Sequence, residues 1–143
     1  MILVDSNLLL YAHDEESDLH LAARRWLEST LSSAEPVGFS WICVLAFLRI
    51  STNARVLNTP LRMDEAISTV DSWLRQPQVV FLEPEERHWE ILKELLAAGQ
   101  VRSRLVMDAH LAALAIEHGA VLCTHDRDFA RFPGLKMIDP LEA

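Results

Sequence analysis

Four short apolar runs constrain this chain more than any other feature. Met1–Val4, Pro36–Phe39, Val79–Leu82 and Ala120–Cys123 are each long enough for one strand, and none alternates polar with apolar residues. Such runs suit strands covered on both faces, as in a parallel sheet. Between them lie segments with helical spacing: Leu8–Ala12, Leu19–Leu31, Trp41 to about Thr52, one introduced by Pro60 and Asp64, one from Pro84 to near Gly99, and Arg104–His118. Ser40 is a good N-cap and Gly119 a good C-terminal stop. A short helical turn is expected after Asp126, and Lys136–Ile138 suits a last edge strand. The alternation predicts an α/β class with a mainly parallel sheet. The length of 143 residues fits one domain spanning 1–143.

Charge and hydropathy narrow the function. The formal net charge is −8, which argues against binding nucleic acid through a broad basic surface. It leaves room for a nuclease, because clustered acids repel phosphate when bare and accept it once divalent cations are present. The cations are 11 Arg and 2 Lys, a balance that favours specific phosphate or carboxylate contacts. No run approaches a membrane span, and no basic leader precedes the first apolar stretch. The expectation is a soluble cytoplasmic protein, with Cys43 and Cys123 as buried, reduced thiols.

Three acids stand where acids are costly. Asp5 directly follows the first strand and is the only charge in Met1–Ala12; it suits a helix cap or a ligand. Asp108 is three residues after Leu105 and four before Ala112, which puts it on the inward face of its helix. A buried carboxylate there calls for an ion pair, such as with Arg49, or for a cation. Asp126 follows the strand ending at Cys123 and suits either a cap or a ligand. In parallel sheets, sites form beyond the carboxyl ends of the strands, where Asp5 and Asp126 both fall. Carboxylates brought together raise one another's pKa or bind a cation. Oxygen ligands without His or Cys favour magnesium or manganese over zinc, and such centres perform metal-assisted phosphoryl chemistry. An aspartyl-nucleophile phosphatase is disfavoured, because Asp5-Ser6-Asn7 lacks the second acid of that pattern.

The same segments resemble a known family. Ile2-Leu3-Val4-Asp5-Ser6-Asn7-Leu8-Leu9-Leu10-Tyr11-Ala12 resembles the opening of PIN domains of VapC toxins. Asp108-Ala109-His110-Leu111-Ala112-Ala113-Leu114-Ala115 is similar to their third-acid helix, and Leu122-Cys123-Thr124-His125-Asp126-Arg127-Asp128-Phe129 to their last acidic turn. Arg131-Phe132-Pro133-Gly134-Leu135 extends the match, and Phe47-Leu48-Arg49-Ile50-Ser51-Thr52-Asn53 looks like the second-helix segment of the mycobacterial branch. The resemblance implies a three-layer α/β/α sandwich and a Mg²⁺- or Mn²⁺-dependent endoribonuclease acting on single-stranded RNA. Its metal would be held by Asp5, Asp108 and Asp126, and it would leave a 5′-phosphate and a 3′-hydroxyl. It also implies a VapB-like antitoxin that blocks the site, and frequent homodimers.

One position departs from the family. A Glu usually stands one turn before the Leu-Arg pair, and here that position is Ala46. Either fewer acids suffice, or another acid such as Asp128 takes its place, or the protein is impaired, naturally or by an engineered change. Asp128 equally suits the first turn of a helix. Arg49 suits a phosphate contact or a helix C-terminus, Asn7 a contact to Asp5 or a water, and Thr124 a hydrogen bond to a site acid. None of His13, His110 and His125 is expected to be the general base. Trp26, Trp41, Trp73 and Trp89 are expected mostly in the core, and Arg24 and Arg25 on a solvated face.

Overall fold

The computed structural model describes residues 1–142, so the last residue of the expected domain lies outside the described residues. The elements run β1 (Ile2–Val4), α1 (Ser6–Tyr11), α2 (His20–Leu31), β2 (Val37–Phe39), α3 (Trp41–Ser51), α4 (Met63–Leu74), β3 (Val79–Phe81), α5 (His88–Ala98), α6 (Leu105–His118), β4 (Val121–Cys123), a 3-10 helix (Arg127–Arg131) and β5 (Met137–Ile138). The five strands form one parallel sheet in the order β3-β2-β1-β4-β5. Ile2 lies opposite both Val37 and Val121, and Leu3 opposite Gly38 and Leu122.

Successive residues of a strand point to opposite faces, and β1 divides its side chains accordingly. Leu3 packs with Ala109, Ala112, Leu122 and Phe129 beneath α5 and α6. Val4 packs with Leu8, Phe39, Phe47 and Trp73 beneath α1 to α4. The result is the expected three-layer α/β/α sandwich with both faces of the sheet covered. Gly38 in the middle of β2 is required by close approach: a Cβ there would stand 2.8 Å from Leu82 Cδ1 and 2.9 Å from the Ile2 carbonyl oxygen. Cys43 and Cys123 are free and buried. No helix among the described residues is long and apolar enough to cross a membrane.

The helix ends show where local signals act and where they fail. Ser40 caps α3 by accepting the Cys43 N–H (3.3 Å), and Gly119 ends α6 in the left-handed conformation at φ 65. Helix α1 starts at Ser6 instead of Leu8, because Asp5 caps it. Helix α5 starts at His88 instead of near Pro84, because the preceding N–H groups of Glu85 and Arg87 are taken by the Glu117 carboxylate, at 2.9 and 2.8 Å.

Candidate active site

The strand order places a crevice beside β1. The chain leaves β1 to build β2 and β3 on one side, then returns through α5 and α6 to lay β4 on the other. Such a reversal opens a site at the carboxyl ends of the strands. Asp5 leaves β1 there, and Thr124 and Asp126 leave β4 beside it. The ladder reaches Asp5 itself, whose N–H donates to the Cys123 carbonyl at 3.0 Å.

Thr124 joins the two strand ends. Its hydroxyl is fully buried and donates to Asp5 Oδ2 at 2.7 Å. Thr124 Oγ1 in turn accepts the Asp126 N–H at 3.0 Å and the Asn7 side-chain N–H at 3.5 Å. Asp5 Oδ1 accepts the Ser6 N–H at 2.7 Å, and Asp126 Oδ1 accepts the Asp128 N–H at 2.9 Å, so both acids also cap helices. Capping uses one lone pair of the roughly four that a carboxylate offers; a cap and a ligand can therefore be the same side chain. Asp108 approaches from the first turn of α6 and is half-buried.

The acids act on one another. Burial pushes the Asp5 carboxyl above its ordinary value; the hydrogen bonds from Thr124 and Ser6 oppose this, and the charge of Asp126 adds to it. Asp108 is pushed up to about 6, first by burial and then by Asp126, Asp5 and Asp128, with only Arg104 pulling the other way. Cys43 lies 4.0 Å from Asp5 Oδ1; burial, and then the charge of Asp5, push its thiol up to about 12. It is a neutral wall of the site.

The donor set fits a hard, hydrated cation. Among the described residues no three His, Cys, Asp or Glu side chains stand close enough to enclose an ion together. Magnesium commonly binds through one or two carboxylates and keeps several waters. A nearby observation matches that habit: Asn7 Oδ1 is buried without a hydrogen-bond partner among the described residues, and a buried acceptor of this kind calls for a donor such as water.

The remaining candidates fall in different places. Asp128 belongs to the cluster, since its charge acts on Asp108. Arg49 does not pair with Asp108; it is exposed in the last turn of α3 and makes no ion pair among the described residues. A cation is favoured at that end of a helix. Ala46 lies three residues past Cys43, on the same side of α3. His125 Nδ1 donates to Asp139 Oδ2 at 2.7 Å, His110 meets His88 at 3.0 Å, and His13 packs on Phe47 and Trp73. Trp73 is in the core as expected, whereas Trp41 and Trp89 are exposed. Three participants were not foreseen: Arg104, Cys43, and Arg131, which binds the Asp128 carbonyl at 3.1 Å. Only Arg104 had a sequence signal, its spacing of four from Asp108. Cavities of about 520 and 490 Å³ flank α1 and α2, and neither is lined by any of the three acids.

The PIN domain family model matches residues 2–135. The chain belongs to the PIN domain family. Within it, this PIN domain is 43% identical over 140 residues to Ribonuclease VapC37 of Mycobacterium tuberculosis, covering 98% of this chain and 97% of that one. It is 42% identical over 141 residues to Ribonuclease VapC33 of the same organism, covering 99% of both. The fold of this PIN domain also matches the crystal structure of VapBC2 from Rickettsia felis bound to a promoter DNA fragment. That match has a TM-score of 0.68 at 19% identity, over 96% of this chain and 98% of the other.

Proposed function

We propose that this PIN domain is a VapC-type endoribonuclease that hydrolyses RNA phosphodiester bonds with Mg²⁺ or Mn²⁺ among Asp5, Asp108 and Asp126, one or two of these carboxylates holding the ion directly and the others through its waters. The observation that carries the proposal is the meeting of acids from three distant segments at the carboxyl ends of β1 and β4, where burial first, and then the charges of Asp126, Asp5 and Asp128, lift Asp108 to about 6. A cluster that disfavours its own charge is relieved by a cation, and relatives at 43% and 42% identity are named ribonucleases. When bound, a divalent cation offsets phosphate charge and makes water a better nucleophile.

The chain's own groups prepare that site. Thr124 and Ser6 hold both oxygens of Asp5 in place, and the Asp128 N–H turns Asp126. Asn7 Oδ1 offers an acceptor for a water hydrogen, and the neutral Cys43 thiol closes the α3 side. The same reading includes a VapB-like antitoxin covering the acids, a second copy of the chain, and a cytoplasmic setting. The match in fold to VapBC2 supports the antitoxin.

A second reading has one observation behind it. Position 46 shares a helix side with Cys43, which touches Asp5, and it carries only a methyl group. On that reading the domain is an impaired scaffold that binds antitoxin or RNA without cutting.

One experiment separates the two. Purified protein is incubated with RNA and Mn²⁺ or Mg²⁺, beside Asp108→Asn and Ala46→Glu, while Mn²⁺ binding is followed by calorimetry. The nuclease reading expects cleavage that EDTA stops, and loss of both cleavage and Mn²⁺ binding in Asp108→Asn by at least about 100-fold. No cleavage by the natural chain, with cleavage appearing in Ala46→Glu, would move the impaired scaffold to first place.

A further inference from the structure

We infer that the cavity of about 490 Å³ at the carboxyl ends of α1 and α3 binds a small organic amine, an ammonium group carried on an apolar body. Asp5, Asp108 and Asp126 do not line it, so the inference stands apart from the nuclease reading.

Three segments build the walls. Leu10 and Tyr11 end α1, Ile50 and Ser51 end α3, and Val56, Leu57 and Leu61 belong to the loop before α4. The segments are tied together. The Leu61 N–H donates to the Ser51 carbonyl at 2.8 Å, and the N–H groups of Val56 and Leu57 donate to the Asn53 carbonyl at 3.1 and 3.0 Å. The Asn58 side-chain N–H crosses to Glu16 Oε2, in the loop between α1 and α2, at 2.9 Å. The cavity is a fixed feature of the fold, and its volume is usual for a small-molecule site.

Its charge has one sign. Asp14, Glu15 and Glu16 follow one another along the wall, and no Lys or Arg lines the cavity. None of the three acids forms an ion pair among the described residues. His13, which also lines the cavity, is pushed below its ordinary value by burial and then by His20 and Arg24, so it supplies no cation near neutral pH.

A second observation points to an occupant. Ser51 is 2% exposed, and its Oγ has no hydrogen-bond partner among the described residues. A buried hydroxyl left unpaired is costly, and on a cavity wall a polar ligand relieves it. Val56, on the same wall, is 59% exposed, so apolar surface there is left to water.

The occupant follows from these groups. Leu10, Ile50 and Leu61 favour an apolar body. Three neighbouring carboxylates favour a cation and repel phosphate or carboxylate. A basic protein segment could meet the same charges. A free amine is favoured because the wall is concave, tied on three sides and holds an unpaired hydroxyl, whereas protein interfaces are broad surfaces.

The test uses tryptamine as the probe. It is titrated by calorimetry into the full chain at pH 7.5, with amide NMR shifts recorded alongside. The expected Kd is about 0.1 mM, ordinary for a ligand of this size. The shifts should centre on residues 10–16 and 50–61. Indole-3-propionate, the same body with a carboxylate, should bind at least about tenfold more weakly. Ser51→Ala should weaken tryptamine about three- to tenfold, the scale of one hydrogen bond. Val56→Lys sets a cation on an exposed part of the wall, where misfolding is not expected, and should weaken it at least about tenfold. Val80→Lys, at an exposed position of β3, should change nothing. Equal affinity for the amine and the acid would overturn the assignment. So would no tryptamine binding below about 5 mM, shifts centred on other segments, or unchanged affinity in both Ser51→Ala and Val56→Lys. A lysine-flanked tryptophan peptide that binds here while tryptamine does not would also overturn it and give the surface to a protein partner.

Discussion

Two polar clusters sit at the two ends of α6, Asp108 in its first turn and Glu117 in its last, and they are built on opposite principles. Around Glu117, donors satisfy the carboxylate, although His88 Nδ1, 3.7 Å from it, has no hydrogen-bond partner among the described residues. Desolvation works against its charge, yet the N–H groups of Glu85 and Arg87, with His88 and His118 nearby, hold its carboxyl below the ordinary value. His88 in turn meets His110 at 3.0 Å. Around Asp5, groups frustrate one another. Burial and neighbouring acids raise Asp5 and Asp108, and Asn7 keeps an unused buried acceptor. A cluster that lowers the energy of its own charges has a structural use. One that raises it invites a ligand of opposite charge.

Breaking the hub of the frustrated cluster should have the largest effect. Thr124→Val keeps the shape of the side chain and removes the bond to Asp5 and the acceptor for Asp126. Mn²⁺ affinity and RNA cleavage should fall about 10- to 100-fold, as for groups that orient metal ligands. Calorimetry and cleavage rates check this, and unchanged values would make Thr124 a packing residue only.

The satisfied cluster should respond in stability alone. Glu117→Ala removes the acceptor of two N–H groups at the start of α5, so denaturant unfolding should show a loss of about 1–2 kcal/mol, the scale of a lost helix cap. Cleavage by the folded fraction should stay as it was. A drop in the cleavage rate at full folding would couple the two clusters and blur the contrast.

The smallest effect sharpens the comparison through pH. With its carboxyl raised from 3.8 to about 6, Asp108 holds its proton in the folded state between those values while the unfolded chain has released it. Folding then binds protons, so the stability from this group is fully present below about pH 4 and is lost as pH rises through 6. Without divalent cations, the difference in Tm between the natural chain and Asp108→Asn should therefore shift in favour of the natural chain by a few degrees between pH 7.5 and 5.5. Added Mg²⁺ should raise the natural chain's Tm more at pH 7.5 than at pH 5.5, because protons compete for the same oxygens. A difference that is flat with pH would mean Asp108 feels its neighbours less than the geometry implies.

Much of the architecture was legible from short-range signals. The apolar runs became strands at or within a residue of their expected ends, Ser40 and Gly119 bounded their helices, and the acids were conspicuous because each interrupted an apolar pattern. These depend on neighbours a few residues away, where periodicity and capping act. The tertiary structure alone decided the strand order, which puts the end of β1, followed by Asp5, next to the end of β4, followed by Thr124 and Asp126. It also decided that Thr124 bonds Asp5 across 119 positions, that Glu117 serves α5 from about 30 positions away, and that the cation near Asp108 is Arg104 instead of Arg49. Such partners are set by sheet register and helix packing, which bring together groups that no local spacing relates.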